Sequence, residues 1–132
     1  MAYNRIAGIG KLTMNSGTAD NATVLQTMDN IICFCSRCRN VTVSSGNAFA
    51  KLPSTISYPN AVIPFVAGYY ESNTRKIGQF GVNINGNILS YQAISNGQIF
   101  LDGVCVHLNS TFYNDTIGNN DESTMTRPIM VN

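Results

Sequence analysis

Between residues 31 and 108 the chain breaks into eight short runs of β-branched and aromatic residues, each closed off by Gly, Asn, Ser or Pro. The runs cover residues 31–35, 39–44, 48–52, 62–70, 76–84, 87–92, 98–101 and 104–108. Turn residues recurring about every 8–12 positions are the pattern of an all-β sandwich or barrel built from antiparallel strands. Helical periodicity is nearly absent. Only ATVLQTM at 22–28 has room for a short helical turn, and we expect less than about 10% helix, against the usual third.

The strongest local signal is GVNINGNILSY at 81–91. Val82 and Ile84 alternate with Asn83, and Asn85-Gly86 has the chemistry of a type I′ turn, so a hairpin is expected there. Ser95-Asn96-Gly97 offers a second turn, and Asp102-Gly103 a bulge or tight bend. Pro53 closes the early strands, and Pro64 is expected to hold its strand to an edge or a bulge. The expected core is Ile32, Phe34, Val41, Val43, Phe49, Leu52, Val62, Phe65, Val82, Ile84, Ile88, Ile99, Leu101 and Val104.

A chain of 132 residues fits one domain, and no run approaches the roughly 20 apolar residues of a membrane helix. Only 11% of residues are charged, the net charge is +1, and no basic cluster exists to neutralise phosphates, so neither nucleic acid nor membrane insertion is expected. Polarity comes instead from amides and hydroxyls. Residues 1–29 and 114–132 are polar and weakly periodic, which divides the chain into an N-terminal arm or docking segment (1–29), a β-sandwich head (30–113) and a polar C-terminal tail (114–132). The opening MAYNRIAGIGKL lacks the 7–15-residue apolar stretch of a secretory signal, so synthesis in a reducing cytoplasm is expected.

Four cysteines invite a metal reading. Cys35 and Cys38 have ligand-pair spacing, but Cys105 and His107 have C-x-H spacing without a turn glycine, so no metal or other cofactor is expected. Reduced cysteines acting as small hydrophobes fit better. Cys33 and Cys35 should share one face of a strand with Phe34 opposite, and Cys105 should face the same way as His107. A Cys105–His107 nucleophile pair along one strand would be about 7 Å apart, long for a hydrogen bond. The carboxylates are scattered, and Gly8-Ile9-Gly10-Lys11 lacks the rest of a phosphate loop. The expectation is a protein that is not an enzyme. One segment suits a ligand: Tyr69, Tyr70, Glu71 and Arg75, read as a loop between two apolar strands, combine aromatic faces with charged hydrogen-bonding groups, as a saccharide requires.

Four stretches in order, RNVTVSSGNAFAKLP, SYPNAVIPFVAGYY, GVNINGNIL and SNGQIFLDGVCV, resemble a recurring pattern in bacteriophage tail-fibre, baseplate and related virion proteins. The pattern runs from an Asn-Val-x-Val strand through a Leu-Pro stop and a hairpin to G-x-I-x-L-D-G. It covers about half the chain; the fibre shaft or baseplate anchor usual in such proteins is not expected in the roughly thirty residues before the first run. The resemblance implies a β-sandwich of jelly-roll type, assembled as a homotrimer on a virion, binding a host cell-surface saccharide, with the two terminal segments docking to other virion proteins. A capsid-decoration or head-fibre structural protein is the alternative it leaves open. A trimeric signalling or lectin-like domain is a second alternative, disfavoured by the missing secretion signal. Few charged gatekeepers guard the strand edges, which independently favours self-association.

Overall fold

The computed structural model describes residues 6–108. Within them lie twelve strands and no helix: β1 (Ile6–Lys11), β2 (Thr13–Met14), β3 (Thr18–Asp20), β4 (Thr23–Thr27), β5 (Ile31–Phe34), β6 (Arg37–Val43), β7 (Asn47–Lys51), β8 (Ile63–Glu71), β9 (Thr74–Val82), β10 (Asn87–Ser90), β11 (Ile94–Phe100) and β12 (Cys105–His107). The eight expected runs correspond to β5–β12. The segment expected as an N-terminal arm contributes β1–β4: β2, β3 and β4 pair with β7, β6 and β5, and β1 pairs with β4. Residues 22–28 hold a strand rather than a helical turn. Val24 and Gln26 point inward while Thr23, Leu25 and Thr27 point out, the period of two that a half-buried strand demands. The expected C-terminal tail, 114–132, lies outside the described residues.

All pairings are antiparallel and form two sheets. The larger, ordered β2-β7-β10-β9-β8-β11-β6-β3, curls until β6 and β7 lie side by side, giving a nearly closed barrel. The smaller, β1-β4-β5-β12, packs across it. Aromatic rings join the two layers. Phe34 of the small sheet meets Phe65 at 6.0 Å, Phe65 stacks on Phe80 at 5.8 Å, and Phe80 meets Phe49 and Tyr69 edge-on. Buried polar side chains are satisfied: Gln26 accepts from the Ser57 amide and donates to Asn30, and the Ser36 hydroxyl donates to the Asn21 carbonyl.

Ten of the fourteen expected core residues are buried. Val62 and Ile84 are exposed, and Phe65 and Val104 are partly buried against the core. Ile84 fails because the hairpin at 83–86 is not the expected two-residue turn. The Gly86 amide donates to the Asn83 carbonyl, and Gly86 alone takes positive φ (+79°), so Ile84 occupies a turn corner with its side chain in solvent. A type I turn followed by a left-handed glycine is the longer-loop solution to the same reversal. The Asn83 side chain fixes it by accepting from the amides of Asn85 and Asn87. Pro64 lies on β8 where only β9 is a neighbour, since β11 pairs with Gly68–Tyr70 alone, so its missing N–H leaves no gap in a ladder.

Candidate functional site

The two-residue reversal between β8 and β9 is Ser72-Asn73, both left-handed (φ +51° and +61°), as a type I′ turn requires. The residues expected on a loop are therefore strand residues, and alternation separates them. Tyr69 faces inward, is 6% exposed and packs edge-on against Phe80, so it is not available to a ligand. Tyr70 faces outward. Glu71 follows it, but its carboxylate accepts from the Ser95 amide at 2.6 Å and from Lys76 at 3.0 Å. Arg75 sits opposite Tyr70 on β9, with its guanidinium over the Phe100 ring at 5.8 Å.

Beside this turn, β6 and β11 diverge. Their register slips between Ile94 and Gly97, and again between Gly97 and Ile99. The slips coincide with Asn96 (φ +51°) on β11 and Asn40 (φ +57°) on β6. Asparagine is the side-chain-bearing residue best suited to these values, because its short amide tolerates the left-handed region. Two bulges facing each other open a groove that the I′ turn walls off. The resulting cleft, of about 530 Å³, brings together Asn40, Tyr70, Asn73, Asn96 and Gln98, with Arg39 and Glu71 at its sides. Gly97 lets the walls approach: a Cβ there would lie 2.4 Å from Ile94 Cγ2 and 3.2 Å from the Tyr70 carbonyl oxygen.

The charges in the cleft are already engaged. Arg39 is paired with Asp20. Glu71 titrates below the ordinary carboxylate range, chiefly because the Ser95 amide donates to it and secondarily through Lys76, whose own value rises in return. The side-chain amides of Asn40, Asn73, Asn96 and Gln98 and the Tyr70 hydroxyl, by contrast, make no hydrogen bond to other described residues. The cleft thus presents uncommitted neutral donors and acceptors around one aromatic ring. No protein-family model, curated protein or solved structure matches the chain, so the meaning of the cleft has to come from its own chemistry.

Of the four expected site residues, Tyr70 and Glu71 line the cleft, whereas Tyr69 and Arg75 do not. Asn40, Asn96 and Gln98 went unrecognised. The signal for Asn96 was present, since Asn96-Gly97 reads as a turn, but a turn read from sequence carries no indication that it is a bulge facing a second bulge. The cysteines divide differently from expectation. Cys38 is fully buried, and desolvation, then the charges of Asp102 and Asp20, push its thiol up to about 12. Cys33 and Cys35 are only half-buried, and Cys105 is exposed. The hydrophobic role expected of all four thus belongs to Cys38. No three His, Cys, Asp or Glu side chains among the described residues converge as a metal site would need.

Proposed function

We propose that the protein is a non-enzymatic binding module of a virion surface, in a bacteriophage tail, baseplate or fibre, that engages a neutral host saccharide in the bulge-lined cleft. The observation that carries this reading is the convergence of four left-handed residues, Asn40, Ser72, Asn73 and Asn96, on one groove with free amides. Interrupted ladders and strained backbone concentrate where side chains are re-aimed for function. A sugar's hydroxyls match unpaired amides, and its CH face matches the Tyr70 ring. With Arg39 and Glu71 neutralised by their partners, the groove has no spare charge for phosphate or sulfate. The virion setting rests on the resemblance of four stretches of sequence.

The jelly-roll topology and the homotrimer belong to the same proposal. Support for self-association comes from the outer face of β8 and β9, where Val66 is 60% and Ile77 82% exposed, with Val62 and Tyr91 beside them. Residues so apolar on a strand face are usually covered in the working assembly. The same face suits capsid decoration, and locating the protein on a labelled particle separates the readings: tail tip for adhesion, capsid lattice for decoration.

The test is a glycan array probed with the labelled full chain and with the Tyr70→Ala/Asn73→Gly/Asn96→Gly variant. Glycine keeps both left-handed turns and deletes only the amides. Binding should fall at least tenfold, which corresponds to about 1.4 kcal/mol. A folded variant that binds glycans as well as the parent, or a parent that binds none, overturns the reading.

A further inference from the structure

The outer face of the small sheet carries a thiol pair. Cys33 on β5 lies directly opposite Cys105 on β12, and their Sγ atoms are 3.3 Å apart. The Phe34 amide donates to the Val104 carbonyl at 3.1 Å and the Leu108 amide to the Asn30 carbonyl at 2.8 Å. Because hydrogen-bonded and non-hydrogen-bonded pairs alternate along an antiparallel ladder, Cys33 and Cys105 form a non-hydrogen-bonded pair, where Cα atoms approach to about 4.5 Å and side chains are closest. That separation lies within the range a disulfide spans, and from 3.3 Å the sulfurs need to close by only about 1.3 Å.

No other pairing has this geometry. Cys38 is fully buried. Cys35 lies just past the end of β5, two residues from the position facing Cys105, a diagonal of about 7–8 Å between Cα atoms, which a disulfide bridges only with backbone movement.

We propose that Cys33 and Cys105 are a reversible redox site, at which a small disulfide such as oxidised glutathione converts the two thiols into an intrachain bond fastening β12 to β5. The exposed Cys105 thiolate attacks one sulfur of the small disulfide, forming a mixed disulfide and expelling the first thiolate, which takes up a proton. Cys33 then gives up its proton and attacks Cys105 Sγ, closing the protein disulfide and releasing the second small thiol. Two protein S–H bonds and one small-molecule S–S bond are exchanged for one protein S–S bond and two small-molecule S–H bonds. The protein pair is oxidised and the small disulfide reduced. Cys105 is exposed and Cys33 half-buried, which makes Cys105 the point of entry and Cys33 the resolving group; burial, then the contact with Cys105, raises the Cys33 thiol to about 11.

The bond closes a long loop, since the two positions are 72 residues apart, and it ties down a three-residue strand that, among the described residues, pairs only with β5. A link of this span raises the unfolding temperature by roughly 5–15 °C in a chain of this size.

The experiment treats the full chain with oxidised glutathione, alkylates the remaining thiols and digests with trypsin. Cleavage after Lys11, Arg37 and Lys76 puts Cys33 and Cys35 on the peptide 12–37 and Cys105 on the peptide 77–132. The expected product is these two peptides joined within one chain, retained in Cys35→Ser, lost in Cys105→Ser and reversed by reduced glutathione. Alkylation of both Cys33 and Cys105 after treatment, arrest with glutathione on Cys105, a link through Cys35, or linkage only between chains each overturns the proposal.

Discussion

Phe80→Ala tests the register of β9 and the core together. Phe80 is fully buried, and its ring contacts three others, Phe65 at 5.8 Å, Phe49 at 5.9 Å and Tyr69 at 6.4 Å. Truncating a buried Phe loses its transfer free energy and leaves a cavity, together about 3–5 kcal/mol. The upper half of that range applies here, because the three neighbours come from β7 and β8 and cannot collapse into the space without moving a strand. At a urea slope of about 1.5–2 kcal/mol per molar, the unfolding midpoint should fall by roughly 2–3 M. Gln79→Ala, one position away with its side chain in solvent, should stay within about 0.5 kcal/mol. The assay is urea unfolding followed by far-UV circular dichroism at one protein concentration. A one-residue slip would exchange the two positions across the sheet. Equal effects, or a Phe80→Ala loss below about 1 kcal/mol, would refute the assigned register.

Three further outcomes are expected. Gly97→Ala forces a Cβ to within 2.4 Å of Ile94 Cγ2, so it should destabilise the fold by about 1–3 kcal/mol and weaken glycan binding, both read on one purified sample. The depressed Glu71 pKa means that its contacts with Ser95 and Lys76 contribute fully above the ordinary carboxylate value of about 4.3 and are lost as pH falls through the lower folded value. Glu71→Gln should therefore flatten the acid limb of a stability-versus-pH curve and leave the neutral plateau's shape unchanged. Val66→Lys with Ile77→Lys, on the exposed face of β8 and β9, should convert the proposed trimer to monomer in sedimentation velocity without loss of the β spectrum.

The strands were legible because period two and turn residues are local properties. Val41 and Val43 announce their inward faces by alternation with polar neighbours, and both are buried. What stayed hidden depends on partners distant in sequence. Strands β1–β4 are weakly patterned, with small residues such as Gly8, Gly10 and Ala19, and they become strands because β5, β6 and β7 supply ladders for β4, β3 and β2, and β4 in turn for β1. Tyr69 and Tyr70 look alike as a pair, and only the tight Ser72-Asn73 reversal makes them strand residues with opposite fates. The seventeen asparagines read as mere polarity. In the fold, five of the six non-glycine residues described at positive φ are Asn, so much of that excess serves left-handed backbone. The cleft itself required two bulges to meet across β6 and β11, and nothing in either segment encodes the other's position.

The most direct test of the cleft is a titration of uniformly ¹⁵N-labelled full chain with a neutral oligosaccharide taken from the array hits, with a sulfated sugar of equal length as the control. Backbone amide shifts should move at Ser72, Asn73, Asn96, Gly97 and Gln98, saturate with the neutral sugar, and stay still with the sulfated one. Shifts confined to the Val66 and Gln79 face, equal response to both sugars, or no response at millimolar sugar would contradict the assignment of this cleft as a saccharide site.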